Sequence, residues 1–202
     1  MLNTFNKEVL FMNKRNIENT RNALLQAAEK LMTEYDDPSK ITARMLTKEA
    51  GVNLAMINYC FGSRESLLFE VFDKLQAEAM NNSPAFRKIL EDDTSPKEKL
   101  IEIYFHSMKL MLDNYNLAKS VTKYVIMNRE LSARRGSLKF IQAHFKDRKT
   151  ENECRLIAYE LASLHELAVL RHEEIKNVCG VDLKNDEELR NYIRNHINMY
   201  LD

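Results

Sequence analysis

Residues 42–68 read TARMLTKEAGVNLAMINYCFGSRESLL, and this stretch decides the fold. Thr42 caps a short helix through Glu49, because its hydroxyl can accept an N–H from the first turn. Ala50-Gly51-Val52 is a tight turn: Gly51 enters the left-handed conformation at little cost, and Ala50 is small enough for two helices to cross closely. Asn53 caps a second short helix through about Cys60. Gly62-Ser63 stops it, and Ser63 caps a third helix that begins Arg64-Glu65-Ser66-Leu67. Ala43, Leu46, Thr47, Val52 and Ile57 are spaced to hold the two short helices together. Two short helices around a glycine turn, between longer ones, describe a helix-turn-helix, a motif whose second helix enters the DNA major groove.

Outward from this stretch the chain reads as helix throughout. Ser83-Pro84 and Ser95-Pro96 place a cap residue before a proline at the first helical position. Ser95 to Glu98 and Thr150 to Glu153 spell capping boxes, and Asn185 to Glu188 is a variant. Gly136 after Arg134-Arg135, and Gly180 after Cys179, are C-terminal stops. Apolar residues recur at helical spacing: Leu24, Ala27, Ala28, Leu31 and Tyr35; then Leu100, Ile101, Tyr104, Phe105, Met108, Met111 and Leu112; then Val121, Tyr124, Val125 and Asn128. Ile157, Leu161, Leu164, Ala168, Arg171 and Ile175 run along the longest helix, read as 151–178, and Leu189, Ile193, Ile197, Tyr200 and Leu201 close the chain. No stretch shows sustained period-two alternation, so about nine helices and no strands are predicted. Four glycines and three prolines among 202 residues agree, since β-sandwiches and barrels spend both on frequent turns.

Thirty basic residues balance thirty acidic ones, which argues against a non-specific nucleic-acid coat or a polybasic membrane binder. Locally the balance differs. Residues 40–64 hold Lys40, Arg44, Lys48 and Arg64 against Glu49 alone, leaving 26 basic and 29 acidic residues elsewhere. Cys60, Cys154 and Cys179 are an odd number without CxxC spacing, which fits a reducing compartment and carries no zinc signature. The opening MLNTFNKEVLFM has no apolar core and carries Lys7 and Glu8, so it is not read as a signal peptide. No periodic pattern starts before Met12; the reading there is a frayed arm or a natural start at Met12. The best apolar stretch, Leu156 to Leu170, is broken by Glu160, His165 and Glu166, so no membrane span is expected and the expected location is the cytoplasm.

The ordered elements Ala27-Ala28-x-x-Leu31, Thr42, Ala50-Gly51-Val52-Asn53 and Asn58-Tyr59-Cys60-Phe61-Gly62-Ser63-Arg64-Glu65-Ser66-Leu67 resemble the N-terminal domain of the tetracycline-repressor (TetR) family. The resemblance covers about residues 20–70. The chain departs from the family pattern at Cys60 (usually His or Tyr), Asn53 (usually Ser), Arg64 (usually Lys) and Leu46-Thr47 (usually Ile-Ala), and Asp36-Asp37 stands where a glycine often ends the first helix. The resemblance implies an all-α chain. Residues 13–65 would form a three-helix DNA-binding domain, and residues 66–202 a larger helical domain for ligand binding and dimerisation. It also implies a homodimer on a pseudo-palindromic double-stranded DNA operator, repressing until a small-molecule effector binds.

The chemistry of the residues fits that implication. Arg64 lies in the first turn of a helix, where the backbone N–H groups and the helix dipole also favour a phosphate. Thr42, Lys48 and Tyr59 are further phosphate donors, which fix register without reading sequence. Arg44 matches a family position that reaches a base, and arginine pairs bidentately with guanine. Asn53, Leu54, Ala55 and Asn58 project from the start of the second helix: Leu54 and Ala55 suit a thymine methyl, Asn58 an adenine or a phosphate. For the effector the candidates are Tyr104, Met108, Met111, Tyr124, Asn128 and His165, an apolar set with a few polar groups; ordinary core is the alternative. For the dimer the candidates are Ile157, Leu161, Leu164, Ala168, Ile193 and Ile197 on the two last long helices; burial of both stripes within one subunit is the alternative. His165 and His172 have no dense ligand cluster around them, so no metal is expected, and no cofactor. No Gly-rich phosphate loop or G-x-S-x-G occurs, and Glu173-Glu174 and Glu187-Glu188 read as solvated or first-turn charge, so no enzyme is expected. A different class stays open: an all-helical interaction or scaffold module whose helix-turn-helix no longer binds DNA, motivated by the neutral total charge and Cys60.

Overall fold

The computed structural model describes residues 2–35, 37–128 and 136–202. Among these the chain is all helical, with eleven α-helices, two short 3-10 turns and no strand. Asp36 and the Arg134-Arg135 part of one stop signal lie outside the described residues. Two compact units are present, Met1–Lys74 and Leu75–Asp202. The division falls inside α4 (Arg64–Asn82), C-terminal to the 65/66 boundary read from the sequence. Among the described residues, no helix is long and apolar enough to cross a membrane.

The first unit is built on α1 (Leu2–Glu34), α2 (Ala43–Ala50), α3 (Ala55–Phe61) and the start of α4. Neither glycine nor proline occurs between Leu2 and Glu34, so nothing interrupts the hydrogen-bond ladder. The first residues, read as a frayed arm or as lying ahead of a natural start at Met12, are helical from Leu2 onward. Leu24, Ala27, Ala28, Leu31 and Met32 are buried. Tyr35, read as the last member of that stripe, lies past the helix end and is exposed. Ile41, Leu46, Ile57, Leu67, Leu68, Val71 and Phe72 complete the core, with α1 packed against both α2 and α3. Arg21–Glu70 at 2.5 Å and Lys74–Glu29 at 2.8 Å join α1 to α4 at the surface.

Between α2 and α3 the chain turns at Gly51. Its φ of 66° and ψ of 31° are left-handed, and its N–H meets the carbonyls of Thr47 and Lys48. Thr42 Oγ1 accepts the Met45 N–H at 3.2 Å and starts α2. Asn53 Oδ1 accepts the Ala55 N–H at 2.9 Å just ahead of α3, while Leu54, the residue at the cap position itself, gives no side-chain cap.

The second unit holds α5 (Pro84–Glu91), α6 (Pro96–Asp113), α7 (Tyr115–Asn128), α8 (Leu138–Phe145), α9 (Glu151–Leu170), α10 (His172–Cys179) and α11 (Asp186–Leu201). The helix α6 lies at its centre, against α5, α7, α8, α9 and α11. All seven residues of its predicted stripe, Leu100 to Leu112, are buried. Thr150 and Glu153 form the full capping box at α9. At α6 only half of the predicted box forms: Ser95 caps the Glu98 N–H, while the Glu98 carboxylate lies 3.4 Å from Arg194.

Eleven helices replace about nine partly because the predicted helix 151–178 breaks at Arg171. Two carbonyls of its last turn are taken by side chains. Tyr115 Oη donates to Leu170 at 3.1 Å, and His172 Nδ1 donates to Val169 at 3.0 Å. The Tyr115 and His172 rings pack edge-on, 4.6 Å apart. Carbonyls held this way are drawn out of the helical ladder, which ends α9 and restarts as α10.

The turn at Gly51 is open to a direct check. An added Cβ there meets nothing within 4 Å, so any loss from substitution is conformational. Gly51→Ala is expected to lower stability by about 1–2 kcal/mol and Gly51→Asn by less, since asparagine visits the left-handed region more readily. Urea unfolding measures this; equal midpoints for Gly51→Ala and the parent would remove the conformational argument.

Candidate nucleic-acid interface

The residues around the Gly51 turn present one exposed surface. On α3 and the residues leading into it, Asn53, Leu54, Ala55, Asn58 and Tyr59 are all exposed. Ile57 turns inward and is buried, anchoring α3 so that this face stays outward. Two of the exposed side chains are large and apolar: Leu54 is 48% and Tyr59 66% accessible. On α2 and its cap, Thr42, Arg44 and Lys48 are exposed. The Thr42 hydroxyl accepts the capping bond, which leaves its O–H free to donate outward.

Electrostatics favour an anion here. Glu49, the one acid between residues 40 and 64, is drawn to Lys30 of α1 at 2.6 Å. That hydrogen bond holds the Lys30 ammonium above its ordinary pKa. Arg44 and Lys48 make no ion pair among the described residues. Arg64 is placed differently from the other candidates. Its side chain is largely buried, and its guanidinium donates to Pro38 O at 2.7 Å, to Ser39 O at 3.4 Å, to Ile41 O, and to Glu65 Oε1 at 3.0 Å. Ser63 caps the same helix by accepting the Ser66 N–H at 3.0 Å. Phe61 is half-buried, and the Arg21 guanidinium lies 4.8 Å from its ring centre. Cys60 is half-buried and free.

In the second unit, two of the six effector candidates meet: the rings of Tyr104 on α6 and His165 on α9 lie 4.4 Å apart. Met108 and Met111 are buried along α6. Tyr124 and Asn128 lie near the end of α7, where Asn128 is exposed and donates to Tyr124 O at 2.9 Å. The sequence reading missed Tyr192 and His196 of α11. Their rings lie 4.2 Å apart, and His196 is 5.8 Å from His165. Their four-residue spacing on the last helix was the available signal. Burial without a hydrogen-bond partner at either ring nitrogen pushes His165 down to about 3, and the neighbouring His196 adds to this. Burial also lowers His196 and raises Tyr192. Among the described residues, no group of three or more His, Cys, Asp or Glu could hold a metal ion.

The dimer candidates divide. Ile157, Leu161, Ala168, Ile193 and Ile197 are buried inside the unit, because that face of α9 and α11 packs on α6, α7 and α8. A partner cannot reach them, and of the six only Leu164 is exposed. The outward side of α9 carries Leu156, Leu164 and Leu167, and α11 adds Met199, which is 80% accessible.

The His165 environment sets a pH dependence. Its folded pKa lies below the ordinary 6.5, so the unfolded chain binds the extra proton first. This contribution to stability is present above pH 6.5, erodes as pH falls below it and is gone near pH 3. One such group removes at most about 1.4 kcal/mol per pH unit in that window. Urea midpoints at pH 7 and pH 5 should therefore separate for the parent and separate less for His165→Phe. An identical separation in both would remove His165 as the cause.

No protein-family model matches the chain, and no curated protein matches it.

Proposed function

We propose that this chain is a ligand-responsive, sequence-specific DNA-binding transcriptional regulator of the tetracycline-repressor type, a repressor released from its operator by a small molecule. One observation carries the reading. Asn53, Leu54, Ala55, Asn58 and Tyr59 are exposed together, as are Arg44 and Lys48 of the neighbouring α2, and apart from the Asn53 bond to Ala55 these side chains make no hydrogen bond or ion pair among the described residues. An exposed leucine and tyrosine, together with exposed cations that make no ion pair among the described residues, are poorly suited to water alone and well suited to a groove floor with phosphate walls.

In this reading α2, the Gly51 turn and α3 are a helix-turn-helix. Arg44 reads a base, Leu54 and Ala55 meet thymine methyl groups, and Asn58 meets an adenine or a phosphate. Thr42, Lys48 and Tyr59 fix register on phosphates. One such head reads only a few base pairs, so two heads on a two-fold axis read a pseudo-palindrome about one helical turn apart. Leu156, Leu164 and Leu167 of α9, with Met199 of α11, form the apolar surface for the second copy. The effector site is placed among Tyr104, Met108, Met111, Tyr124, Asn128 and His165, with the Tyr104–His165 contact as its polar edge. Effector binding biases a two-state dimer through the continuous helix α4, with coupling on the order of 1–3 kcal/mol.

Selection from random duplexes at low salt is expected to enrich a two-fold symmetric site. Failure to enrich one with folded protein would remove the DNA reading in favour of a helical scaffold. On the selected site Arg44→Ala should cost about 1–3 kcal/mol and relax preference at one base per half-site. Lys48→Ala should weaken all sequences alike and shallow the salt slope by about 1 per head. Equal losses on operator and random DNA would refute base reading by Arg44.

The dimer surface has its own check. Leu156→Glu with Leu167→Glu should shift sedimentation from dimer to monomer while the helical content stays unchanged. A variant that remains dimeric would place the interface elsewhere.

A further inference from the structure

Arg64 is the one expected phosphate contact whose donors are already occupied. Arginine offers five N–H groups in a planar fork. Here Nε donates to Ile41 O, Nη2 to Pro38 O and Ser39 O, and Nη1 to Glu65 Oε1. A single N–H is left, too few for the paired bonds by which arginine grips a phosphate. The three carbonyls belong to the 3-10 turn Pro38–Lys40 and to Ile41, the segment that leads from α1 into α2. Carbonyls at the end of a helical turn carry partial negative charge, so a guanidinium suits them, including Pro38 O, which also accepts the Ile41 N–H at 3.1 Å.

The position of this clasp matters for what lies beside it. Ile41 is fully buried and immediately precedes Thr42, the cap of α2. Two residues further on is Arg44. At the other end of the same side chain, Arg64 is the first residue of α4, directly after the stop that ends α3 at Gly62. One side chain therefore ties the entrance of α2 to the exit of α3. On the DNA-binding reading above, we infer that Arg64 is a positioning residue: it holds the start of α2, and with it Arg44, in register with α3, and does not bind phosphate. The inference also distinguishes arginine from lysine at this position. An ammonium is a point donor and cannot span three carbonyls and a carboxylate as a fork does.

The test uses the full chain carrying Arg64→Lys, Arg64→Ala or Lys48→Ala. Each is measured on the selected operator and on random duplex across a salt series, with hydrogen exchange in the absence of DNA. For Arg64→Lys we expect the ratio of operator to random affinity to fall about tenfold, with random-DNA binding nearly unchanged and the salt slope equal to the parent's. Exchange should quicken at Leu46 and its neighbours in α2, whose first ladder bond is Leu46 N–H to Thr42 O. Thermal unfolding of Arg64→Lys separates this from global destabilisation, which would lower both affinities together. Lys48→Ala supplies the contrasting signature of a phosphate contact. The inference is overturned if Arg64→Lys keeps the parent's operator-to-random ratio while Arg64→Ala shallows the salt slope as Lys48→Ala does. It is equally overturned if α2 exchange is unchanged in Arg64→Ala. If the parent binds no DNA, the functional reading fails and the role assigned to Arg64 fails with it; if the parent binds and Arg64→Lys is indistinguishable from it, only the positioning role fails.

Discussion

Every helix end leaves backbone N–H or C=O groups without an intrahelical partner, and in this chain the choice of partner for those groups shapes the rest. Thr42, Ser83, Ser95, Thr150 and Asn185 take up N–H groups and fix where α2, α5, α6, α9 and α11 begin. Gly51 and Gly180 turn left-handed so that their own N–H groups can close the last turn of α2 and α10. Where no glycine is available, side chains from elsewhere reach the carbonyls: Tyr115 and His172 at the end of α9, and Arg64 before α2. An all-helical chain has many ends and few alternatives for satisfying them, so these local bonds place the surfaces on which function would depend.

The legible parts of the fold are those whose signal is short-range. Serine before proline, Thr-x-x-Glu and the seven-residue stripe of α6 each carry their own physical reason within one or two turns, and each is found where the spacing placed it. The missed parts involve partners far apart in sequence. Glu98 leaves its capping box for Arg194, and α9 breaks because Tyr115, fifty-five residues earlier, takes the Leu170 carbonyl. The bonds of Arg64 to the segment before α2 are hidden in the same way, because their acceptors are backbone carbonyls, which every residue has and no residue type reveals. The stripe Ile157, Leu161, Ala168 was legible as apolar but not as inward. Periodicity gives the buried face of a helix without saying whether the same chain or a second copy covers it.

The charge balance has a structural counterpart. Lys30, Arg21 and Lys74 are matched by Glu49, Glu70 and Glu29, pairs that contribute little each at an exposed surface but neutralise the flanks of the first unit. Among the described residues Arg44 and Lys48 are left outside that matching, and both are exposed, as are Leu54 and Tyr59. A neutral chain can thus concentrate positive potential on one small face, and the matching of Glu49 to Lys30 removes the acid that would otherwise oppose it.

The helix α4 belongs to both compact units, with the division after Lys74. Each part of it is shorter than the roughly 12–15 residues at which an isolated helix becomes marginally stable in water. If either unit unfolded alone, it would withdraw tertiary support from its share of α4 and leave the other unit holding a frayed stub. Each share of α4 therefore depends for its helical state on the packing of its own unit rather than on the length of the helix.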